Sequence, residues 1–315
     1  MTEFNPEKVS SRKGRIAIIT GSNTGLGYET AKILAGTGMK VIMACRNMEK
    51  AESAKKMILK THPGSDLEIM PVDLSRLASV RNFADMYMSA FDRVDLLINN
   101  AGIMIPPYSL TEDGFESQMG VNYFAHFLLT ALLFDTIVKT PGSRIVALSS
   151  NAHKKGEIRF EDLNRRKDYN PLNAYRQSKV ACLIFAKELD RRIRRAGLET
   201  LSVAAHPGLS ITELVRHIPK WVMVIGKPLT AIVTHPPAKG AMPVVYAALS
   251  PDVKGGEYFG PQGYNEWKGE PGRVDSTSYA NDKSIAARLW DISEKLTGVN
   301  FNVNSLAASL ENTEA

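Results

Sequence analysis

The stretch "RIAIITGSNTGLGYETA", residues 15–31, sets the fold. Residues 15–20 form a short β-branched run that reads as a strand, glycines follow at 21, 25 and 27, and a helical pattern continues from Gly25 to about Ala35. A glycine motif alone is weak evidence, but this one lies between a strand and a helix near the start of the chain. Glycine allows the tight turn and the close approach of backbone to a pyrophosphate, while the helix N-terminus offers amide donors and positive potential. The stretch therefore reads as a phosphate cradle for a dinucleotide, with Asn23, Thr24 and Leu26 inside the turn beside Gly21, Gly25 and Gly27.

The rest of the chain keeps the same rhythm. Strand-like segments at 39–45, 67–74, 94–100, 144–150 and 200–206 alternate with helical patterns at 47–62, 75–91, about 114–139 and 171 to about 196. The strands are continuous apolar runs without polar alternation, as expected when helices cover both faces. This alternation predicts an α/β, Rossmann-like, doubly wound parallel sheet with right-handed crossovers. No linker interrupts it through residue 206, so residues 1–299 read as one domain. Residues 208–238 are Pro-rich and irregular, and residues 300–315 read as a polar tail prone to disorder.

Composition narrows the class. The 315 residues are 44% hydrophobic and 23% charged, a globular balance. No apolar run reaches the roughly 18 residues of a membrane span. The N-terminal "MTEFNPEKVSSRKG" lacks the apolar core of a signal peptide. Cys45 and Cys182 lie in apolar surroundings and fit neither a disulfide framework nor metal-ligand spacing. A soluble protein of a reducing, cytoplasmic compartment is expected. The net charge of +6 comes partly from "RRIRR" at 191–195, a solvated helix face. Aromatics are not interleaved with the basic residues, so a nucleic-acid partner is not expected. His126 and His206 have no second ligand at sensible spacing, and His126 reads as packing on the long helix.

The end of the second strand selects the dinucleotide. A free ribose 2′-hydroxyl usually meets an Asp or Glu there. This chain has "ACRN", with Cys45 where the acid would fall and then Arg46. A guanidinium pairs with a 2′-phosphate that a carboxylate would repel, so NADP(H) is expected over NAD(H).

Tyr-x-x-x-Lys occurs at Tyr28/Lys32, Tyr175/Lys179, Tyr264/Lys268 and Tyr279/Lys283, so spacing alone decides nothing. Only Tyr175/Lys179 opens a long helix after a strand ending in two serines. A phenol titrates near about 10, too high for a general base at neutral pH. A lysine one turn along the same helix face, with an oxidised nicotinamide, favours the phenolate and fits it to exchange the alcohol proton.

"TGSNTGLG" (20–27), "DL" (73–74), "NNAG" (99–102), "VNYFAHF" (121–127), "ALSS" (147–150), "AYRQSK" (174–179) and "HPG" (206–208) occur in this order. The set, spanning residues 14 to about 260, resembles the short-chain dehydrogenase/reductase superfamily. "VIMACRN", "DLSRLASVR", "HFLLTALL", "FGPQG" and "LWDISEKLTG" resemble its retinol dehydrogenase branch, near the WW-domain oxidoreductases and protochlorophyllide reductases. The long gap from Ser150 to Tyr175 is similar to that branch as well.

The resemblance implies an oxidoreductase that interconverts an alcohol and an aldehyde or ketone. It makes Tyr175 the proton-transfer residue, with Lys179 also binding the nicotinamide ribose. It makes Ser150 the hydrogen-bond partner of the substrate oxygen, a choice over Ser149 that strand alternation supports. Asn122 matches the helix asparagine that holds a proton-relay water. As cofactor contacts it implies Asp73 at the adenine amino group with Leu74 beside it, and Asn99, Ala101 and Gly102 along the groove, Asn99 also bracing the sheet. Pro207, Gly208, Leu209 and Thr212 fall near the nicotinamide.

Residues 208–240 match the family's substrate lid. Leu214, Ile218, Trp221, Val222, Met223, Ile225 and Ile232 make it apolar, suited to a lipophilic or aromatic carbonyl or alcohol, retinal-like by analogy. Flanking basic residues allow at most peripheral contact with an anionic membrane. Relatives often pair through the helices matching 114–139 and 171–196, so a homodimer is expected, with "LIFA" (183–186) suited to core or partner. Two other readings stay open: a light-dependent double-bond reductase like protochlorophyllide reductase, and a non-catalytic dinucleotide sensor. Leu209 after "HPG" and the intact "NNAG" weigh against the first, and the complete Asn122, Ser150, Tyr175, Lys179 set against the second.

Overall fold

The computed structural model describes residues 4–208 and 236–304. Strands β1 (Ile16–Thr20), β2 (Lys40–Cys45), β3 (Leu67–Pro71), β4 (Leu96–Asn99), β5 (Arg144–Leu148), β6 (Leu201–Ala205), β7 (Tyr258–Pro261) and β8 (Pro271–Arg273) form one sheet in the order β3-β2-β1-β4-β5-β6-β7-β8. All pairs are parallel except β7 with β8. The strand order reverses between β1 and β4, and the C-terminal ends of strands flanking such a switch point form the ligand crevice of doubly wound sheets.

Alternate residues of β1 enter two separate cores. Ile16 and Ile18 pack on one face, Ala17 and Ile19 on the other. Helices α1 (Gly25–Gly36), α2 (Met48–Thr61) and α7 (Pro237–Leu249) cover the second face. The first face is covered by α3 (Leu77–Ala90), α5 (Ala125–Val138), α6 (Pro171–Arg195) and α9 (Lys283–Thr297). Short helices α4 (Ser117–Met119) and α8 (Ser278–Asn281) are the remaining α-helices among the described residues.

Local chemistry sets the boundaries. Asn47 caps α2 by accepting from Lys50 N at 2.8 Å, and Asn170 caps α6 by accepting from Asn173 N at 3.0 Å with Pro171 as its first residue. β3 ends at Pro71, short of the expected 74; it is an edge strand, where the missing N–H is tolerated. α3 begins at Leu77 rather than Ser75 because the Asp113 carboxylate accepts Leu77 N–H at 2.8 Å from 36 residues away.

Three expectations change. The long helix expected over 114–139 is not a regular α-helix throughout: it starts at Ser117, and Gly120–Phe124 form a π-helical turn between α4 and α5. The polar tail does not begin at Asn300, since Phe301 and Val303 are buried and Phe301 stacks its ring 4.8 Å from Trp290. Ser117–Val138 does have the length and hydropathy of a membrane span, against the expectation from apolar runs, yet 67% of its most apolar window is buried inside the fold.

The "LIFA" run also finds its place. Residues 183–186 are all buried, and Phe185 meets Tyr123, Phe127 and the α9 residue Trp290. The run therefore serves the core, with the chain's own C-terminal helix supplying Trp290 as one of its partners.

Candidate active site

The glycine turn opens a groove of about 850 Å³ along the C-terminal strand ends. Gly21 has φ +68°, and a Cβ there would stand 2.9 Å from that of Ala101. A Cβ on Gly27 would strike the Gly21 carbonyl oxygen and lie 2.5 Å from Asn100 Nδ2. Only glycine lets the turn close on β1 and on the loop after β4. Thr24, the N-cap of α1, makes no side-chain capping bond, so the first amides of α1 are not claimed by their own cap. Gly21, Asn23, Thr24, Gly25, Leu26 and Gly27 all line the groove.

Next to the turn, the groove wall is formed by Arg46, Asn47, Lys50 and Ser53 from the end of β2 and the start of α2. The Arg46 side chain is 74% exposed, and its Nη1 is 3.9 Å from Asp73 Oδ1. Asp73 accepts from Ser75 N at 2.9 Å and Ser75 Oγ at 2.7 Å, which fixes the loop after β3; Asp73 and Leu74 both line the groove. Lys50 and Ser53 were not singled out from sequence, although the first turns of α2 are the natural neighbours of Arg46.

Asn99 ties β4 to α5, its Nδ2 donating to Thr130 Oγ1 at 2.9 Å, in keeping with the bracing expected of it; that side chain does not face the groove. Its neighbour Asn100 does, donating through Nδ2 to Thr20 O at 2.7 Å, together with Ala101 and Gly102. Strand alternation turned the two asparagines to opposite sides.

Tyr175 and Lys179 form the far wall. Asn170 starts α6, which places them one turn apart on the same face, with Lys179 Nζ 5.7 Å from the Tyr175 ring centroid. Both are buried, and Lys179 Nζ donates to Leu148 O at 3.2 Å, at the end of β5. The other Tyr/Lys pairs lie elsewhere: Lys32 pairs with Glu29 at 2.5 Å, Tyr264 is 78% exposed, and Tyr279 OH accepts from Ile158 N at 2.8 Å.

The two serines after β5 diverge. Ser149 Oγ donates to Lys179 O at 2.8 Å, committed to the α6 backbone. Ser150 starts a short 3-10 turn, its Oγ accepting from Ala152 N at 3.2 Å. Asn122 sits in the π turn and does not line the groove directly. Its Oδ1 accepts from Ile103 N at 2.8 Å, and its Nδ2 donates to Ile103 O at 3.0 Å and Ser178 Oγ at 2.9 Å. A Cβ on Gly102 would stand 3.1 Å from Asn122 Oδ1 and 3.5 Å from Lys179 Nζ, so these three residues crowd one corner.

Pro207 and Gly208 follow β6. Gly208 has φ +74°, and its N–H donates to His206 Nδ1 at 3.2 Å. His206 Nε2 lies 3.1 Å from Glu266 Oε2, and Lys154 Nζ lies 2.7 Å from Glu266 Oε1, joining the loops after β5, β6 and β7. Leu209, Thr212 and nearly all of the expected lid, 209–235, lie outside the described residues. Among the described residues, no cluster of three or more His, Cys, Asp or Glu has metal-binding geometry.

Comparison with known proteins agrees with this geometry. The short chain dehydrogenase family model matches residues 15–222. Retinol dehydrogenase 14 of Mus musculus is 41% identical over 302 residues, covering 91% of this chain and 86% of that protein. Retinol dehydrogenase 13 of Homo sapiens is 41% identical over 293 residues, covering 91% and 85%. Among solved structures, an uncharacterized protein from Mycobacterium Paratuberculosis superposes with a TM-score of 0.78 at 39% identity, covering 95% of this chain and 99% of that one. The Pseudomonas aeruginosa RhlG/NADP active-site complex shares the fold, with a TM-score of 0.63 at 21% identity over 81% and 96% of the two chains. The chain belongs to the short-chain dehydrogenase family, within its retinol dehydrogenase branch.

Proposed function

We propose that this oxidoreductase uses NADP(H) to interconvert a lipophilic alcohol and its aldehyde or ketone. The observation that carries the reading is that Tyr175 and Lys179 stand in the wall of the same groove that the glycine turn opens. The residues suit a dinucleotide: the turn excludes Cβ atoms at 21 and 27, the start of α1 presents amides, and the groove runs from there to Tyr175. Bound there, the nicotinamide would supply or accept the hydride. Arg46 would hold a 2′-phosphate, with Lys50, Asn47 and Ser53 beside it. Asp73 and Leu74 would bound the adenine, and Ala101 and Gly102 would let the dinucleotide lie close to the strand ends.

The chain's own groups divide the remaining work. Tyr175 hands its hydroxyl proton to the substrate oxygen in reduction and takes it back in oxidation. The Lys179 ammonium stabilises the charge that develops on the phenol oxygen. Ser150 donates to the substrate oxygen and positions it. Asn122 fixes the loop at Ile103 and the Ser178 hydroxyl, and so holds the corner in which Lys179 stands. Pro207, Gly208, Leu209 and Thr212 would border the nicotinamide end.

The named relatives are retinol dehydrogenases, which supports a retinoid-like substrate for this chain. Ile103, Met104, Leu110 and Val121 give the groove an apolar side in keeping with that class. The test is NADPH consumption with retinal, medium-chain aldehydes and aromatic ketones, with NADH in parallel. Turnover of at least one lipophilic class, faster with NADPH, is expected. Absence of NADPH oxidation with every member of the panel overturns the proposal.

A further inference from the structure

His126 has no role in the account so far, yet it bonds directly to the frame of the site. It lies on α5, 4% exposed, one turn after Asn122. Its Nδ1 is 3.0 Å from the Asn122 main-chain oxygen, and its Nε2 is 2.9 Å from Thr20 Oγ1. A carbonyl oxygen only accepts, so Nδ1 carries a hydrogen. Burial pushes the imidazole down to about 4, with the nearby Lys179 charge acting in the same direction against the Asn122 hydrogen bond. The ring is neutral at physiological pH, and Nε2 offers a lone pair.

The Thr20 hydroxyl therefore donates to Nε2 at 2.9 Å, with Ile98 O a longer alternative acceptor at 3.4 Å. Its own lone pairs receive Asn100 N–H at 3.0 Å and Ala101 N–H at 2.9 Å. The result is a directional series: the amides after β4 donate to Thr20, Thr20 donates to His126, and His126 donates to Asn122. It ties together the last residue of β1, the loop lining the cofactor groove and the π turn. Such turns break the regular i→i−4 pattern and recur at functional sites. Cys182 Sγ on α6 reaches the same Asn122 oxygen at 3.2 Å. The Asn122 side chain then holds Ile103 and Ser178, the residue before Lys179.

We propose that His126 is a positioning residue for the reaction, a two-ended spacer that sets the glycine-turn strand against the π turn at Asn122 and, through Asn122, the corner that holds Lys179. This rests on the reading of Tyr175 and Lys179 as the proton-transfer pair.

Two substitutions separate the two ends. His126→Asn places an amide nitrogen near the position of Nδ1, keeping the bond to Asn122 and losing Thr20. His126→Gln places an amide oxygen near Nε2, keeping Thr20 and losing Asn122. Steady-state kinetics with NADPH and the best aldehyde of the panel, together with Tm, provide the readout. His126→Gln should lower kcat by about 10- to 100-fold with the NADPH KM nearly unchanged. His126→Asn should keep kcat within about threefold and raise the NADPH KM about tenfold. If either variant does not fold, Thr20→Val removes the same hydroxyl with little change of shape and should raise the NADPH KM likewise. Wild-type kcat and KM in the folded variants, or identical losses in both that follow Tm, overturn the inference. If Tyr175→Phe is inactive while His126→Gln keeps full kcat, the inference alone fails. If Tyr175→Phe is fully active, the underlying reading fails first.

Discussion

Replacing Arg46 by alanine tests the choice of dinucleotide. Arg46 is the first residue after β2, with its side chain 74% exposed, in the groove wall beside Asn47, Lys50 and Ser53. Its nearest carboxylate, Asp73, is 3.9 Å away and already accepts two bonds from Ser75, so the guanidinium is only loosely held by the protein. A hydrogen bond to a charged group contributes about 1.5–3 kcal/mol, and solvent exposure places this one toward the lower end. Arg46→Ala should then lower kcat/KM for NADPH by about 10- to 30-fold, since each ~1.4 kcal/mol is tenfold. For NADH, which has no 2′-phosphate, the change should stay within about threefold. The assay is initial rate at 340 nm with both cofactors at a fixed aldehyde concentration, repeated at raised ionic strength. An exposed ion pair is screened by salt, so the wild-type NADPH preference should shrink as salt rises. An unchanged NADPH-to-NADH ratio in Arg46→Ala would refute the reasoning.

Other consequences can be checked independently. Gly27→Ala forces a Cβ against the Gly21 carbonyl and Asn100, so NADPH Kd by protein fluorescence should rise at least about tenfold; unchanged binding would show that the turn relaxes freely. Trp290→Ala removes the ring that covers Phe127 and Phe185 and should destabilise the fold by about 3–5 kcal/mol in urea denaturation; a loss below about 1 kcal/mol would mean α9 covers that face only loosely. For Glu266, burial alone would raise the carboxyl, but His206 and Lys154 outweigh burial and hold it at about 2, below its ordinary 4.5. A carboxyl lowered on folding contributes stability above its unfolded value and loses that contribution as pH falls through its folded value. Glu266→Gln should therefore flatten the fall of Tm between pH 4.5 and about 2; parallel Tm profiles for variant and wild type would contradict this.

Much of the fold was legible because β1 to β6 are short, mainly apolar runs, with Glu68 in β3 and Ser202 in β6 as the internal polar residues, separated by helical patterns. What was missed shares a physical cause: it depends on partners distant in sequence or on very short segments. β8 is three residues, Pro271–Arg273, beginning Pro-Gly, with no strand propensity, and it pairs antiparallel with β7 at the sheet edge. The π turn at Gly120–Phe124 leaves the apolar pattern of the helix almost intact, so periodicity does not reveal the change of hydrogen bonding around Asn122. α3 takes its start from Asp113, which no local rule points to. Phe301 and Val303 are too few to read as core until Phe127, Phe134 and Trp290 are seen beside them.

The site divides in the same way. The glycine turn and the Tyr175/Lys179 pair stand out in the sequence because their residue types and spacing are set by local geometry. Asn100 was not singled out because which of two neighbouring asparagines turns its side chain to the groove is decided at the strand end, where Asn99 reaches Thr130 and Asn100 reaches Thr20. The Thr20–His126–Asn122 series was hidden because Thr20 lies 106 residues from His126 and 80 from Asn100, whose amide it accepts, so the groups meet only in the folded sheet.

The central claim is that the Tyr175 hydroxyl exchanges the proton during hydride transfer. Its most direct test is Tyr175→Phe, compared with wild type in single-turnover NADPH oxidation by the best aldehyde, with NADPH affinity measured on the same samples. The account predicts a rate at least about 10³-fold lower with NADPH Kd within about threefold, since the ring that lines the groove is kept and only the proton donor is removed. A phenylalanine variant that turns over at the wild-type rate would contradict it.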